Sequence, residues 1–209
     1  MDTLDRLISI IIYADIVGYS SMMQADEELA LKKLKHFEEV LNIQSKKYDG
    51  EIVKAYGDGC LMLFPSAVSA IKCAISIQSD LREEPYVPLR IGVHIGEIVR
   101  KDHDIFGDGL NIASRIESMG VANSVLISSD IYFQIKNHPE IKTVKLGDFA
   151  FKNIERDITL YAISNDELTI PLSPDMIGKG KISNSSSEFS KKKIFIDSWS
   201  ILIIQSFRL

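Results

Sequence analysis

Two aspartates stand where carboxylates can do chemistry. Asp15 closes an apolar, β-branched stretch over residues 7–13, and Asp58 is the middle residue of Gly57-Asp58-Gly59. The first stretch is short enough to be a buried strand, and the second lies between two strand-like runs, residues 51–56 and 60–64, as a hairpin turn. If that hairpin lies beside the strand, both carboxylates meet at one rim. They then repel unless a cation joins them, and oxygen-only donors suit Mg²⁺ or Mn²⁺. Each also has a plainer use, Asp15 as the cap of a following helix and Asp58 as the favoured Asp-Gly turn residue. A second set is Asn111 and Arg115, four apart in a helix-like stretch. That spacing puts both on one face, able to reach one cleft, although an isolated pair is equally a solvated helix face. His36, His94, His103 and His138 show no metal-ligand spacing and read as structural or surface groups. No Ser-His-Asp arrangement and no G-x-x-x-x-G-K-[ST] phosphate loop is present.

The elements that must position these residues follow from periodicity. Gly18-Tyr19-Ser20 reads as a turn, and from Asp26 the pattern becomes helical, with Ala30, Leu34, Phe37 and Leu41 on one side and Asp49-Gly50 as the stop. The hairpin over 51–64 comes next. A second helix runs over about 66–81, with Ala67, Ile71, Ala74, Ile75 and Leu81 inward, and Pro85 and Pro88 end it. Residues 89–99 form a strand with Ile91, Val93 and Ile95 on one face. A loop over 101–106 leads to Gly107-Asp108-Gly109 and a helix through Ser118. Strands near 125–127, 144–149 and 159–163, with a helix from Ser129, complete an α+β pattern: an antiparallel sheet with helices packed on one face.

Composition bounds the function classes. The chain has 209 residues, 45% hydrophobic and 25% charged, which is ordinary for a globular protein. A formal net charge of −5 disfavours non-specific nucleic-acid binding. Cys60 and Cys73 are the two cysteines, too few for a disulfide scaffold or a four-thiolate zinc site, and they suit a reducing compartment. The acidic start Met1-Asp2-Thr3-Leu4-Asp5 is unlike a signal peptide, so the main domain, residues 1–165, is expected on the cytoplasmic side. Residues 166–193 are rich in Pro, Gly, Ser and Lys and read as a linker. Lys191-Lys192-Lys193 precede a short apolar tail, residues 194–209, which is shorter than a membrane span and carries Asp197. Its basic-then-apolar order leaves open a membrane or partner tether, a packing segment, or the start of something further.

Three motifs in order carry a resemblance. Ala14-Asp15-Ile16-Val17-Gly18-Tyr19-Ser20, Lys54-Ala55-Tyr56-Gly57-Asp58-Gly59, and the run Asp104-Ile105-Phe106-Gly107-Asp108-Gly109-Leu110-Asn111-Ile112-Ala113-Ser114-Arg115 resemble the successive signatures of class III nucleotidyl cyclase catalytic domains. The resemblance implies a ferredoxin-like α+β domain that works as a head-to-tail homodimer with ATP at sites between the subunits. It implies that Asp15 and Asp58, with Ile16 beside them, hold two Mg²⁺ or Mn²⁺ ions per site. The backbone of Ile16, Val17, Gly18, Tyr19 and Ser20 would cradle the triphosphate, as free N–H groups at a helix start attract anions. Asn111 and Arg115 would orient the ribose and stabilise the transition state, and Lys152, in Phe151-Lys152-Asn153-Ile154, would approach the phosphates.

The resemblance also assigns Lys54 and Asp104 to the base. A lysine can donate to a ring nitrogen of adenine and an aspartate can accept from its exocyclic amine. Guanine presents a carbonyl there, which Asp104 would repel, and guanylyl members of the family typically carry glutamate and cysteine instead. The expected activity is therefore conversion of ATP to 3′,5′-cyclic AMP and pyrophosphate. A cyclase with guanine or pyrimidine preference, or a nucleotide-binding regulatory domain without turnover, is the alternative.

Overall fold

A computed structural model describes residues 5–101, 104–172, 176 and 180–182. The expected tail 194–209 lies outside the described residues. The chain opens with β1 (Asp5–Ile16), α1 (Tyr19–Ala25) and α2 (Glu27–Lys47), followed by the hairpin β2 (Glu51–Tyr56) and β3 (Gly59–Phe64). Then come α3 (Ala67–Asp80), β4 (Leu89–Lys101), β5 (Asp104–Phe106) and α4 (Asp108–Ser118). The remainder is β6 (Ser124–Ser128), α5 (Ser129–Ile135), β7 (Thr143–Phe151), β8 (Ile158–Ile163) and β9 (Gly180–Ile182). The strands form one sheet in the order β2-β3-β1-β4-β6-β8-β7-β9, with β5 paired to β4.

β1 is central and apolar on both sides because both of its faces are covered. Ile10, Ile12, Ala14 and Ile16 join the cluster that includes Phe37 and Leu41 of α2, Ile71 and Ile77 of α3, and Ile131 of α5. Ile11 points the other way, into a smaller cluster with Leu61, Leu63 and the α4 residues Leu110 and Ala113. Asp15 has the parity of Ile11, so it shares the α4 side of the sheet. The α+β architecture is as expected, with two additions. The β4–β6 pair is parallel, and α4 covers the face opposite α2 and α3.

Local chemistry explains the boundaries. The Asp26 carboxylate accepts the Leu29 N–H at 3.0 Å, capping α2, while Glu27 and Glu28 lie in its first turn and Lys46 and Lys47 in its last. Ser66 caps α3 through Ser69 N–H. Two expected irregular stretches are ordered. Gly18 takes a left-handed φ of 75° and starts α1 where a turn was expected, and the expected loop 101–106 ends in β5, which pairs Val99 with Phe106. Of the expected linker 166–193, residues 166–172, 176 and 180–182 are described; there Met176 is buried and β9 pairs with β7. No helix among the described residues is long and apolar enough to cross a membrane.

α4 lies directly on β4, backbone against backbone. A Cβ added at Gly92 would stand 2.2 Å from the Glu117 nitrogen, and one at Gly96 would stand 2.7 Å from Gly109 Cα. Between these glycines His94 is 2% exposed and its Nδ1 lies 2.8 Å from Ser128 Oγ. Burial pushes its imidazole down to about 4. The unfolded chain therefore binds the extra proton first. The stability owed to neutral His94 is complete above an ordinary imidazole value, about 6.5, and is lost as pH falls toward 4. Melting temperature is expected to drop between pH 7 and pH 5, and His94→Gln to flatten that slope. An unchanged slope in the variant would show that other groups set it.

Candidate active site

The β1–β3–β2 end of the sheet gathers the two aspartates. In the β2–β3 turn Gly57 occupies the first central position with φ 59°, as a two-residue hairpin of type II′ requires. This turn folds against the end of β1, where Ile16 N–H donates to the Asp58 carbonyl at 3.0 Å. Register pairs Asp15 with Gly59, so the Asp15 and Asp58 carboxylates become neighbours. Burial holds the Asp15 carboxyl above the usual carboxylate range, and nearby Asp58 pushes it the same way, while Arg90 opposes both. Arg90 Nη2 donates to Asp15 Oδ2 at 2.7 Å.

Reading the motifs missed two charged neighbours, Arg90 beside Asp15 and Glu117 beside Arg90. Register places Arg90 opposite Asp15 on β4, and its Nε forms an ion pair with Glu117 at the far end of α4. The contact is close but off the hydrogen-bonding angle. The ion pair stands on distance, and half-buried charges so near each other attract strongly. The available signal was a charged residue inside the alternating apolar strand Leu89-Arg90-Ile91-Gly92-Val93.

The carboxylate pair fits a divalent cation. Among the described residues no group of three or more His, Cys, Asp or Glu side chains converges, so Asp15 and Asp58 are the protein's anionic donors here. Mg²⁺ is commonly held this way, by one or two carboxylates with water and substrate phosphates completing the shell. Ile16, with a side chain 1% exposed, can offer only its backbone.

The chain after Asp15 is divided in its hydrogen bonding. Ile16 and Val17 spend their N–H groups on the Asp58 and Pro88 carbonyls, and the α1 ladder starts with Ser21 and Met22 donating to Gly18. Gly18, Tyr19 and Ser20 precede that ladder, so their N–H groups are the ones at the helix start. The expected five-residue phosphate cradle is thus narrower on the donor side.

Lys54 and Asp104, fifty positions apart in the chain, meet. Lys54 Nζ lies 3.3 Å from Asp104 Oδ1, with both side chains more than half exposed. Lys54 pairs with Leu61 in register, which puts it on the Asp15 side of the sheet, and Asp104 reaches it from β5. The Lys54 ammonium also lies over the Tyr56 ring, 5.9 Å from its centroid.

Three expected site residues lie elsewhere. Asn111 and Arg115 share the outward side of α4, whose inward residues Ile112, Ala113 and Ile116 are buried. Lys152 is exposed in the β7–β8 turn. From β1 to β7 the sheet runs through β4, β6 and β8, four strand spacings or about 19 Å. The registers also put Phe151 toward the sheet end opposite Asp15. Among the described residues, the side chains of Asn111, Arg115 and Lys152 have no hydrogen-bond or ion-pair partner.

Comparison with known proteins gives this geometry a family. A Rhizobium meliloti (strain 1021) protein named "Putative adenylate cyclase 3" is 36% identical over 171 residues, covering 78% of this chain and 29% of its own length. A Streptomyces coelicolor adenylate cyclase is 29% identical over 119 residues, covering 56% of this chain and 31% of that protein. The chain thus spans under a third of the length of these curated relatives. Among solved structures, the adenylate/guanylate cyclase/hydrolase from Silicibacter pomeroyi superposes with TM-score 0.72 at 32% identity, covering 78% of this chain and 100% of that one. The adenylyl cyclase CyaB from P. aeruginosa shares the fold, with TM-score 0.71 at 24% identity over 81% of this chain and 100% of that one. The family model described as adenylate and guanylate cyclase catalytic domain matches residues 7–165, and the chain belongs to that family.

Proposed function

We propose that this chain is an adenylate cyclase, converting ATP to 3′,5′-cyclic AMP and pyrophosphate in cyclic-nucleotide signalling. The observation that carries the reading is the Lys54–Asp104 pair at 3.3 Å, on the same sheet face as the Asp15–Asp58 carboxylates. Such a pair offers one donor and one acceptor at fixed spacing, matching a ring nitrogen and the exocyclic amine of adenine. Relatives named as adenylate cyclases support the same substrate.

The ribose 3′-oxygen attacks the α-phosphorus, the bond from that phosphorus to the bridging oxygen breaks, and the hydroxyl proton is lost as pyrophosphate departs. Asp15 and Asp58, with the Ile16 carbonyl, would hold two Mg²⁺ or Mn²⁺ ions. When bound, the ions lower the pKa of the hydroxyl and offset polyphosphate charge. Gly18, Tyr19 and Ser20 turn their N–H groups toward the phosphates. Asn111 orients the ribose. Arg115 places a guanidinium against charge developing on the phosphoryl oxygens, an interaction worth about 10³–10⁵-fold where arginine plays this part in other phosphoryl transfers. Lys152 adds a further cation at the phosphates.

Geometry supports a homodimer. Lys152 lies too far from Asp15 within one chain to touch the same nucleotide, and Asn111 and Arg115 face away from the sheet. A second copy, arranged head to tail, supplies all three to the first copy's aspartates. Because each chain carries both halves, two equivalent sites result. We place the domain on the cytoplasmic side, where ATP is available.

The test is incubation of the purified chain with ATP, GTP, CTP and UTP separately, with Mg²⁺ and with Mn²⁺, and identification of products by mass spectrometry. Cyclic AMP should dominate. Another cyclic nucleotide would overturn the base assignment. ATP bound tightly by a demonstrated dimer, with no pyrophosphate released, would favour a regulatory nucleotide-binding domain.

A further inference from the structure

The described residues after β8 that lie beyond the range 7–165 matching the family, namely 166–172, 176 and 180–182, are tied to the domain at successive points. Arg82 bonds both the side chain and the carbonyl of Glu167. Thr169 N–H donates to the Asn123 carbonyl at 3.0 Å, and Leu168 packs on the main cluster. Met176 is then 8% exposed in a second cluster. Four residues later β9 joins the edge of β7, pairing Gly180 with Phe151 and Lys181 with Ala150.

The company Met176 keeps is what matters. Its cluster contains Ile112 and Ile116 of α4, Met119 at the end of that helix, Leu126 of β6, Leu160 and Ala162 of β8, and Phe149 and Phe151 of β7. Ile112 follows Asn111, Ile116 follows Arg115, and Phe151 precedes Lys152. Met176 therefore packs in a cluster that includes residues of the two elements carrying Asn111, Arg115 and Lys152, whose side chains have no hydrogen-bond or ion-pair partner among the described residues. Methionine suits an irregular apolar cluster because its three rotatable bonds let it adapt to the side chains around it. Beyond it β9 pairs with β7 through the backbone, whatever side chains it carries.

We propose that Met176 is a positioning residue for the reaction. It sets the spacing of α4 against β7, and so the places of Asn111, Arg115 and Lys152. The inference rests on the roles given to those residues above. Removing the side chain leaves a void that surrounding structure fills only in part, by shifting the helix or the strand. Misplacement of about 1 Å at a reacting group can cost about 10²-fold in rate.

The test uses the full chain with Met176→Ala, Met176→Leu and, as a packing control in the main cluster, Ile77→Val. For each, kcat and KM for ATP are measured well below the melting temperature, and amide hydrogen exchange is followed by region. Met176→Ala should lower kcat at least about tenfold with KM within about twofold, and should speed exchange in α4 and the β7–β8 turn. Met176→Leu should restore kcat, and Ile77→Val should lower melting temperature while leaving kcat intact. Wild-type kcat in Met176→Ala, unchanged exchange in α4, no rescue by leucine, or an equal loss in Ile77→Val would each overturn the proposal. Asn111→Ala separates the two layers. If it retains wild-type kcat, the site reading itself fails. If it is dead while Met176→Ala is fully active, only the positioning role fails.

Discussion

Asp58→Ala is expected to reduce cyclic nucleotide formation by roughly 10³-fold or more while leaving the fold intact. The magnitude follows from the several kcal/mol by which a bound cation stabilises transition-state charge, at about 1.4 kcal/mol per tenfold. Asp58 is the better test of the pair, because Asp15 also neutralises Arg90 at 2.7 Å. Removing the Asp15 carboxylate would leave a half-buried guanidinium with Glu117 as its remaining acid, mixing a stability loss into the kinetics. The shared-site arrangement adds a sharper expectation. Asp58→Ala and Arg115→Ala should each be inactive alone, and equal mixtures allowed to exchange subunits should recover about a quarter of wild-type activity. Half the dimers are then mixed, and each mixed dimer rebuilds one of its two sites. A mixture that stays inactive, although native mass spectrometry shows heterodimers, would exclude a site built from two chains.

The second large effect concerns the base. Changing Lys54→Glu together with Asp104→Cys should lower kcat/KM for ATP by about 10²-fold or more and raise that for GTP, because polar groups that a bound base covers discriminate strongly when left without their partners. The ion pair these residues form is well exposed, with side-chain exposures of 55% and 61%, so losing it should hardly change stability. That separation makes the result readable. A melting temperature near wild type with a reversed nucleotide preference supports base reading by this pair. An unchanged ATP rate in the double variant would remove Lys54 and Asp104 from the site.

Both predictions depend on features of very different legibility. The apolar run before Asp15, the Gly-Asp-Gly hairpin and the helix starts near Asp26 and Ser66 were readable because each is a local preference, expressed within a few residues. The α1 helix was missed because Tyr19–Ala25 is a single short amphipathic stretch that begins at a glycine, and a glycine followed by serines looks like a turn. β5 was missed for a related reason. Three residues carry no periodicity, and their strand character comes from pairing with β4. The stretch after β8 looked like a linker since Pro, Gly and Ser dominate its composition. Its attachment rests on an Arg82–Glu167 ion pair, on Leu168 and Met176, and on backbone hydrogen bonds, none of which composition records.

The sequence by itself determined the α+β class, the order of elements and the residue types that could handle a nucleoside triphosphate with a metal ion. Those follow from periodicity, turn chemistry and motifs in register. Only the tertiary structure decided what meets what. Sheet register set Arg90 against Asp15, the pairing of β5 with β4 carried Asp104 to Lys54, and the glycines of β4 let α4 close down until Glu117 reached Arg90. It also put Lys152 four strands from Asp15. These pairings join residues tens of positions apart through strand order and close packing, and no local preference in the chain encodes either.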